Sequence, residues 1–279
     1  MTSNSALQSA RRLFSAAKAG HTGTLDPLAT GLLPLCFGEA TKFSADLLEA
    51  DKTYEADLLF GENTDTGDAE GEVIQRRPVN FTSSALDEVI AQFRGVIRQV
   101  PPMYSALKRD GKPLYELARQ GIEVERKSRE VTIHALQLLD FSVDRCRLRV
   151  CCSKGTYIRT LAEDIGNTLL CGAHLTALRR TVVGPLQIDQ AVTLDRLLKM
   201  TELERAEQLQ APDALLQTVP AIHLDETLAS RFMHGNPVRH AQDGVIELGR
   251  CRVYAGNRLL GLGELDDSGL LSPRRLVSQ

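Results

Sequence analysis

One aspartate in a glycine-rich segment has surroundings that suggest chemistry. Asp26 precedes Pro27, which disfavours helical backbone at the preceding residue and places the carboxylate in a turn or an extended segment. Gly20, Gly23 and Gly31 lie around it, and glycine permits a close approach of the backbone to a ligand. A simple turn aspartate is the alternative for an isolated Asp-Pro pair. The segment lacks the G-x-x-x-x-G-K-[ST] pattern, so it is not a Walker phosphate loop.

Arg159 is the second candidate, because its position is locally unfavourable. It follows Gly155 and falls in the first turn of a predicted helix, where a cation opposes the helix dipole at a cost of roughly 0.3–1 kcal/mol. Such a choice suggests a compensating partner or a functional role. A buried carboxylate is the natural partner, and a bidentate pair would fix its orientation. The alternative is a surface arginine whose charged end reaches water past the helix end.

Two tyrosines are candidates for contact with a nucleic-acid base. The chain has eight Phe, five Tyr and no Trp, so few of its side chains can stack on a base. Tyr54 lies in a predicted strand, and Tyr157 comes shortly after Gly155. Packing in the core is the ordinary role for either ring, and stacking on a base is the functional alternative.

Metal and thiol chemistry find no support in the sequence. None of the six cysteines forms a C-x-x-C pair, so we expect reduced thiols rather than a zinc ribbon or a redox pair. The acidic segment at residues 63–71 departs from the EF-hand pattern. We therefore expect an acidic solvated turn there.

Charge is unevenly distributed along a chain whose formal net charge is -3. Residues 44–72 hold ten acidic side chains and one basic one. Residues 94–130 hold nine basic and five acidic side chains, and residues 145–180 hold seven and two. A protein that is acidic overall can still present a basic groove to phosphates, since salt screens charges beyond roughly 8–10 Å. Solvated surface charge is the alternative.

Hydrophobic periodicity and turn residues predict the elements that position these groups. Helices are predicted at residues 6–17, 86–93, 158–169, 173–180 and 191–215. Strands are predicted at residues 53–60, 131–139, 147–152, 244–248, 251–254 and 259–262.

Two domains are expected, with a boundary near residues 215–220, where the helical pattern gives way to short strands. Residues 1–215 form the first, and residues 216–279 suit a small β-barrel near the lower size limit for independent stability. No apolar run approaches the roughly 20 residues of a membrane helix, and the first residues lack the apolar core of a secretory signal. We therefore expect a cytoplasmic protein.

Five ordered segments carry a resemblance to a known family. They are GHTGTLDPLATGLLPLCFGEATKF, DKTYEADLLFGENTDTGDAEG, QVPPMYSALKRDGKPLYELARQGIEVERKSREV, CSKGTYIRTLAEDIG and GAHLTALRRTVVGP. Together they cover most of residues 1–185, and the first resembles the catalytic-aspartate motif of the TruB family, the bacterial tRNA pseudouridine synthase B enzymes. Residues 222–276 more weakly resemble the reduced PUA-type RNA-binding module of bacterial members.

The resemblance implies an α+β fold, in which a mixed, largely antiparallel central sheet is flanked by helices and followed by a small C-terminal PUA-like β-barrel. It implies isomerisation of uridine 55 in the T arm of tRNA to pseudouridine, by base flipping and an aspartate-dependent glycosidic rearrangement. No cofactor and no metal are implied. We expect a monomer that binds the T stem-loop of tRNA and no membrane.

The resemblance also implies a role for each candidate residue. Asp26 is the catalytic carboxylate and Arg159 its ion-pair partner. Tyr54 lies against the target base, while Tyr157 and Leu178 form walls of the base pocket. His21 enters the space that the flipped base leaves.

The beginning of the chain departs from the family pattern. Family members open with a strand that carries a Lys-Pro-x-Gly segment before the Thr-Ser of the first helix, whereas this sequence begins at Met1-Thr2-Ser3. Either the start of the sequence was assigned late or the strand is lost, and in the second case we expect the completeness and stability of the sheet to be affected.

Two other functions fit parts of the sequence. A non-catalytic RNA-binding protein would use the same basic segments and tail without needing Asp26, and product formation on unmodified tRNA would distinguish it. A metal-dependent phosphotransferase built on Asp26, Asp65 and Asp68 would lose activity with a chelator, whereas the synthase would not.

Overall fold

The computed structural model describes residues 1–240 and 247–278. These residues form eight α-helices: α1 (Ser3–Leu13), α2 (Ser44–Glu49), α3 (Ser83–Gln92), α4 (Leu114–Ala118), α5 (Ile158–Thr168), α6 (Leu194–Lys199), α7 (Glu202–Ala206) and α8 (Glu226–Met233). Short 3-10 helices lie at Gly38–Phe43, Ile188–Gln190 and Pro212–Leu216.

The described residues also form eighteen strands. They are β1 (Ala19–His21), β2 (Thr30–Gly31), β3 (Leu35–Phe37), β4 (Lys52–Phe60), β5 (Glu62–Thr64), β6 (Val73–Arg76), β7 (Gly95–Gln99), β8 (Lys108–Arg109), β9 (Lys112–Pro113), β10 (Arg129–Ser142), β11 (Arg145–Cys152), β12 (Ala173–Val183), β13 (Leu186–Gln187), β14 (Ala221–Leu224), β15 (Val238–Arg239), β16 (Gly249–Ala255), β17 (Arg258–Leu265) and β18 (Leu270–Leu276).

The chain divides into two compact units, and neither is continuous in sequence. Unit 1 comprises Met1–Ser3, Gly23–Pro34 and Leu48–Ala191. Unit 2 comprises Asn4–Thr22, Leu35–Leu47 and Val192–Gln279. The segment that carries Asp26 belongs to unit 1.

Unit 1 is built on a seven-stranded sheet. Its strands run in the order β13-β12-β4-β11-β10-β7, all antiparallel to their neighbours, and β2 adds to β12 in parallel. Helices α3 and α5 contribute Leu86, Ile90, Leu161 and Ile165 to the core that this sheet forms. The predicted α+β class, with a mixed and largely antiparallel sheet flanked by helices, is confirmed.

Strand alternation gives the sheet two chemically different faces. Successive side chains of a strand point to opposite faces, and in β4 Ala56 and Leu58 are buried in the core. On the other face, Arg147 Nε lies 2.6 Å from Asp57 Oδ1, and Arg149 Nη2 lies 3.0 Å from Glu55 Oε1. Part of the basic segment thus neutralises part of the acidic one, so these two arginines do not form an uncompensated basic groove.

The helix predicted at residues 173–180 is wrong, because these residues belong to β12, which lies between β4 and β13. The register against β4 shifts between Leu175 and Ala177. This β-bulge inserts an extra residue, so that buried Leu175 and Leu178 are three apart rather than two or four. That spacing imitates a helix, and sheet pairing overrides the helical propensity of alanine, leucine and arginine.

The long helix predicted at residues 191–215 is also wrong, since α6, α7 and a 3-10 helix share this stretch. Thr193 caps α6 by accepting a hydrogen bond from the Arg196 amide. Thr201 caps α7 in a capping box with Glu204, in which each side chain bonds the other's backbone amide. Two N-caps therefore begin separate helices where hydrophobic periodicity alone suggested one long helix.

Unit 2 contains a five-stranded sheet in the order β14-β16-β17-β18-β15. The β14–β16 pair is parallel and the other pairs are antiparallel. Helix α8 covers its core with Phe232, which is fully buried beside Cys251 and Val253. This sheet fits the expected PUA-like β module. Of the strand predicted at residues 244–248, residues 244–246 lie outside the described residues.

A membrane span would need a long, apolar helix. Among the helices of residues 1–240 and 247–278, none has the length and hydropathy to cross a membrane.

Candidate active site

Asp26 lies in unit 1, in the irregular segment between Gly23 and β2. The carbonyl of Asp26 accepts a hydrogen bond from the Ala29 amide at 2.9 Å, which closes a turn around Pro27. The hydroxyl of Ser3 accepts a hydrogen bond from the Leu25 amide at 2.9 Å. The carboxylate is therefore held on a fixed turn, with its side chain 37% exposed.

Arg159 contacts Asp26, as the sequence predicts. Its Nε lies 3.0 Å from Asp26 Oδ2, although the N–H direction does not satisfy hydrogen-bond geometry, and its side chain is only 5% exposed. Nη1 donates to the Thr66 carbonyl at 3.0 Å, and Nη2 donates to the Tyr104 carbonyl at 2.8 Å. The guanidinium thus joins three segments, and it does not grip both carboxylate oxygens in the expected bidentate manner.

The position of Arg159 explains its unfavourable location in the helix. Helix α5 begins at Ile158 after Tyr157, which provides no side-chain cap. Arg159 is the second residue of the helix, and it is buried. A cation at a helix N-terminus costs roughly 0.3–1 kcal/mol, and Asp26 supplies the compensating negative charge that the sequence suggested.

Asp68 is a second carboxylate beside Arg159. The sequence grouped it with Asp26 only in the metal-dependent alternative, and no local pattern predicted its contact with Arg159. Its Oδ2 lies 3.7 Å from Arg159 Nε, and its side chain is 4% exposed. Its Oδ1 accepts hydrogen bonds from the Thr66 hydroxyl at 2.7 Å and the Glu70 amide at 3.1 Å. The expectation of a solvated acidic turn is therefore wrong at Asp68, because the turn folds this carboxylate inward. Arg159 compensates its burial.

The environment raises the pKa of Asp26. Burial of the carboxylate is the largest cause, the Arg159 charge opposes it, and the Asp68 charge adds to it. The ion pair that was expected to favour the charged form is thus outweighed by desolvation. Asp26 is therefore fully ionised only at a higher pH than an ordinary aspartate.

Tyr54 and Leu178 lie on the core-facing side of the sheet. In the β4–β12 pair, Tyr54 is opposite Arg180 and Ala56 is opposite Leu178, so these four side chains share a face. Leu178 is 7% exposed and belongs to the main core, against which Tyr54 packs. Burial raises the pKa of the Tyr54 phenol, while the adjacent Arg180 charge lowers it in part. The phenol is accordingly protonated at neutral pH.

Tyr157 is fixed by two residues that are not predicted as site residues. Gln99, which is fully buried, accepts a hydrogen bond from the Tyr157 amide at 3.1 Å and donates to its carbonyl at 3.2 Å. The Arg129 guanidinium carbon lies 4.8 Å from the centre of the Tyr157 ring. Only pairing of β7 with β10 brings these residues together, so neither carries a local sequence signal.

His21 lies in β1 of unit 2, opposite Leu35 of β3. Asp26, Tyr54, Tyr157, Arg159 and Leu178 all belong to unit 1. The structure thus places five of the six predicted site residues in one unit, and it brings Asp26 and Arg159 into contact.

Metal ligation was the alternative use of the acidic residues. Asp65 Oδ1 accepts a hydrogen bond from the Glu72 amide at 2.9 Å, which closes its own turn. Among residues 1–240 and 247–278, no group of three or more His, Cys, Asp or Glu side chains has a metal-binding arrangement.

Family models match most of the chain and identify the family to which it belongs. The family model of the TruB family pseudouridylate synthase N-terminal domain matches residues 11–158. The chain belongs to the TruB family. Two C-terminal models agree: that of the tRNA pseudouridylate synthase B C-terminal domain matches residues 159–224, and that of the pseudouridine synthase II TruB C-terminal region matches residues 220–277.

Relatives in the TruB family are similar over nearly their full length. A protein of Dechloromonas aromatica (strain RCB) named tRNA pseudouridine synthase B is 62% identical over 277 residues, which cover 99% of this chain and 92% of the relative. A protein of Burkholderia mallei (strain NCTC 10247) with the same name is 58% identical over 282 residues, with coverage of 99% and 93%.

Solved structures share the fold of this chain at lower sequence identity. Cbf5 in a Cbf5-Nop10-Gar1 complex matches with a TM-score of 0.76 and 23% identity, over 100% of this chain and 82% of that one. A chain of the archaeal box H/ACA sRNP Nop10-Cbf5 complex matches with a TM-score of 0.72 and 21% identity, over 100% and 83%. These similarities concern the fold.

Proposed function

We propose that this chain isomerises uridine 55 in the T arm of tRNA to pseudouridine, with Asp26 as the catalytic carboxylate. The observation that carries the proposal is the buried Arg159, whose Nε lies 3.0 Å from Asp26 Oδ2 in a chain of the TruB family. The names of the relatives support tRNA as the substrate. The proposal includes no cofactor and no metal, a monomeric state and a cytoplasmic location.

The reaction is an isomerisation in which every atom of the uridine is retained. The N1–C1′ glycosidic bond breaks, a C5–C1′ bond forms, and the proton on C5 is finally replaced by one on N1. No electrons are gained or lost. The base must detach, rotate and reattach without leaving the pocket, so the protein has to hold both fragments.

Asp26 acts in its ionised form. The carboxylate attacks the sugar, attacks the base, or removes a sugar proton to give a glycal, and each route needs the negative charge. Arg159 fixes the direction of the carboxylate, and the Thr66 and Tyr104 carbonyls fix Arg159 in turn. This arrangement supports a preorganised carboxylate.

Tyr54 transfers the C5 proton. Because burial keeps the phenol protonated at neutral pH, its oxygen accepts the C5 proton, directly or through one bound water, as its own proton is delivered to N1. This is a relay through Tyr54, and a standing phenolate is not required.

The remaining predicted residues shape the pocket. Leu178 and Tyr157 exclude water, which would otherwise capture an electrophilic sugar. The uridine reaches the pocket by flipping out of its stack at a cost of a few kcal/mol, and His21 enters the vacated space. Contacts of basic residues with phosphates offset that cost, and the folded shape of the T stem-loop provides recognition. Residues 1–215 carry the catalysis, and residues 216–279 form the PUA-like RNA-binding module.

Mass mapping of an unmodified tRNA transcript tests the proposal. We expect the intact protein to convert uridine 55, which becomes visible after chemical labelling of pseudouridine, and to act equally well in a chelator. A transcript with cytidine at this position is the control and should remain unlabelled. Binding without conversion would instead favour the non-catalytic RNA-binding function, and loss of activity in the chelator would contradict the metal-free reaction.

A further inference from the structure

Arg180 is a buried cation whose charge is balanced by hydrogen bonds to carbonyl groups. It is 2% exposed, and it lies in β12 on the same sheet face as Leu178. None of the ion pairs found within residues 1–240 and 247–278 includes Arg180. Burying a charge without a counter-ion is costly unless its donors are satisfied. The groups that satisfy them indicate what the residue does.

The hydrogen bonds of Arg180 connect to the segment that holds Asp26. Its Nε donates to the Leu32 carbonyl at 2.8 Å, and its Nη2 donates to the Gly23 carbonyl at 2.8 Å. Its own carbonyl accepts a hydrogen bond from the Leu32 amide at 2.8 Å. One residue therefore fastens both ends of the segment from Gly23 to Leu32, with Asp26 between them.

Two glycines allow this approach. Gly31 has φ +104°, and a Cβ there would lie 2.2 Å from the Arg180 carbonyl oxygen. Gly23 has φ +71°, and a Cβ there would lie 3.1 Å from Arg180 Nη1. The sequence suggested that these glycines let the backbone approach a ligand, and in the structure they let it approach Arg180.

Arg180 also lies beside the second proposed catalytic group. It is the direct cross-strand partner of Tyr54, and its positive charge lowers the pKa of the Tyr54 phenol against the larger effect of burial. Arginine stays charged in proteins, so the phenol has a fixed positive neighbour. Asp26 and Tyr54 come from different segments, and Arg180 contacts both of those segments.

We propose that Arg180 is a positioning residue that holds the Asp26 segment at both ends and orients the Tyr54 phenol, so that one side chain sets the relative geometry of both groups. The inference rests on the proposed function for the roles of Asp26 and Tyr54. The restraint that Arg180 places on the Asp26 segment is a property of the RNA-free protein, and it can be measured without any turnover.

Hydrogen–deuterium exchange in Arg180→Lys tests whether Arg180 restrains the segment from Gly23 to Leu32. Lysine keeps the charge but cannot donate in the two directions that Nε and Nη2 occupy. We expect amides of residues 23–32 to exchange at least about tenfold faster than in the wild type. Arg179→Lys is the matched control, since Arg179 is the exposed neighbour in the same strand, and it should leave these amides unchanged. Exchange in Arg180→Lys within about twofold of the wild type would overturn the proposal.

Single-turnover kinetics separates this inference from the proposed function. We expect Arg180→Lys to slow the chemical step at least about tenfold, while the KM for tRNA changes by less than about twofold, because a buried arginine does not contact phosphates. If Asp26→Asn abolishes turnover but Arg180→Lys does not alter it, only the positioning role fails. If neither variant alters turnover, the proposed function fails.

A second variant, Gly23→Ala, tests the same proposal if Arg180→Lys does not fold. Gly23→Ala keeps arginine at position 180 but brings a Cβ to 3.1 Å from its Nη1, next to the Gly23 carbonyl that Nη2 binds. Gly38→Ala is its control, because Gly38 also has a positive φ of +54° but a Cβ there would meet nothing within 4 Å. We expect faster exchange at residues 24–32 in Gly23→Ala only. Equal exchange in the two variants would contradict the hold by Arg180.

Discussion

Replacing Arg159 by lysine should slow the chemical step far more than the preserved charge suggests. The guanidinium joins Asp26 to the Thr66 and Tyr104 carbonyls through three different nitrogens. A lysine ammonium is a compact point charge on a flexible stem. If it stays near Asp26, it leaves at least one of the two carbonyls without its donor, and it no longer fixes the direction of the carboxylate.

The magnitude follows from the contacts that are lost. A buried acceptor that loses its donor costs about 1–3 kcal/mol, so we expect the free energy of unfolding to fall by about 1–3 kcal/mol for each of the two carbonyls that loses its donor. The catalytic effect should be at least about tenfold on the chemical step, equivalent to about 1.4 kcal/mol of barrier. Affinity for tRNA should change little, because Arg159 is buried and another cation replaces it.

Single-turnover rates, filter binding and urea denaturation of the same preparation separate these effects. Arg149→Lys is a matched control, since Arg149 is a half-exposed arginine paired with Glu55 at 3.0 Å. Its stability should change by less than about 1 kcal/mol, because exposed ion pairs contribute little. Unchanged chemistry in Arg159→Lys, together with weaker and more salt-sensitive binding, would mean that Arg159 contacts a phosphate, which would refute the ion-pair reasoning.

Three further predictions concern neighbouring groups. Asp68→Asn removes a charge that raises the pKa of Asp26, so the acid limb of the pH–rate profile should move to lower pH, and an upward shift would contradict this. Burial raises the pKa of Glu163 from 4.5 to about 7, so the folded state keeps a proton that the unfolded state releases, and wild-type stability falls between pH 4.5 and 7. Glu163→Gln should therefore gain up to about 3 kcal/mol over the wild type between pH 4.5 and 8 in urea denaturation, and an equal difference at both pH values would refute it. Gln99→Met leaves the Tyr157 amide without its acceptor, while the Tyr157 carbonyl loses one donor and keeps the Leu161 amide at 3.1 Å, so thermal unfolding should show a loss of about 1–3 kcal/mol, and wild-type stability would contradict that role.

Local patterns in the sequence predicted the parts of the site that depend on neighbouring residues. Asp-Pro after glycines indicated a turn, and the Asp26 turn is there. An arginine in the first turn of a helix indicated a carboxylate partner, and Arg159 contacts Asp26. In both cases the signal lies within a few residues, where backbone preferences and helix electrostatics act directly.

Features that depend on long-range pairing could not be predicted in this way. Asp68 reads as part of a solvated acidic turn, and only the packing of that turn against Arg159 buries it. The bulge in β12 between Leu175 and Ala177 interrupts the two-residue alternation of buried side chains that is typical of a strand. Arg180 appears in the sequence as one of two adjacent cations, yet Arg179 is exposed and Arg180 is fully buried. Register, which tertiary structure sets, decides which of the two faces the core.

The Asp26→Asn variant on unmodified tRNA tests the central claim most directly. Asparagine keeps the shape of the side chain and removes the charge that every proposed route requires, while phosphate contacts elsewhere dominate RNA affinity. Pseudouridine at position 55 is measured by mass mapping, and binding is measured by filter retention of the same tRNA. We expect no detectable pseudouridine at this position, with affinity within about twofold of the wild type. Pseudouridine formation by Asp26→Asn at a rate close to the wild type would remove Asp26 from the mechanism.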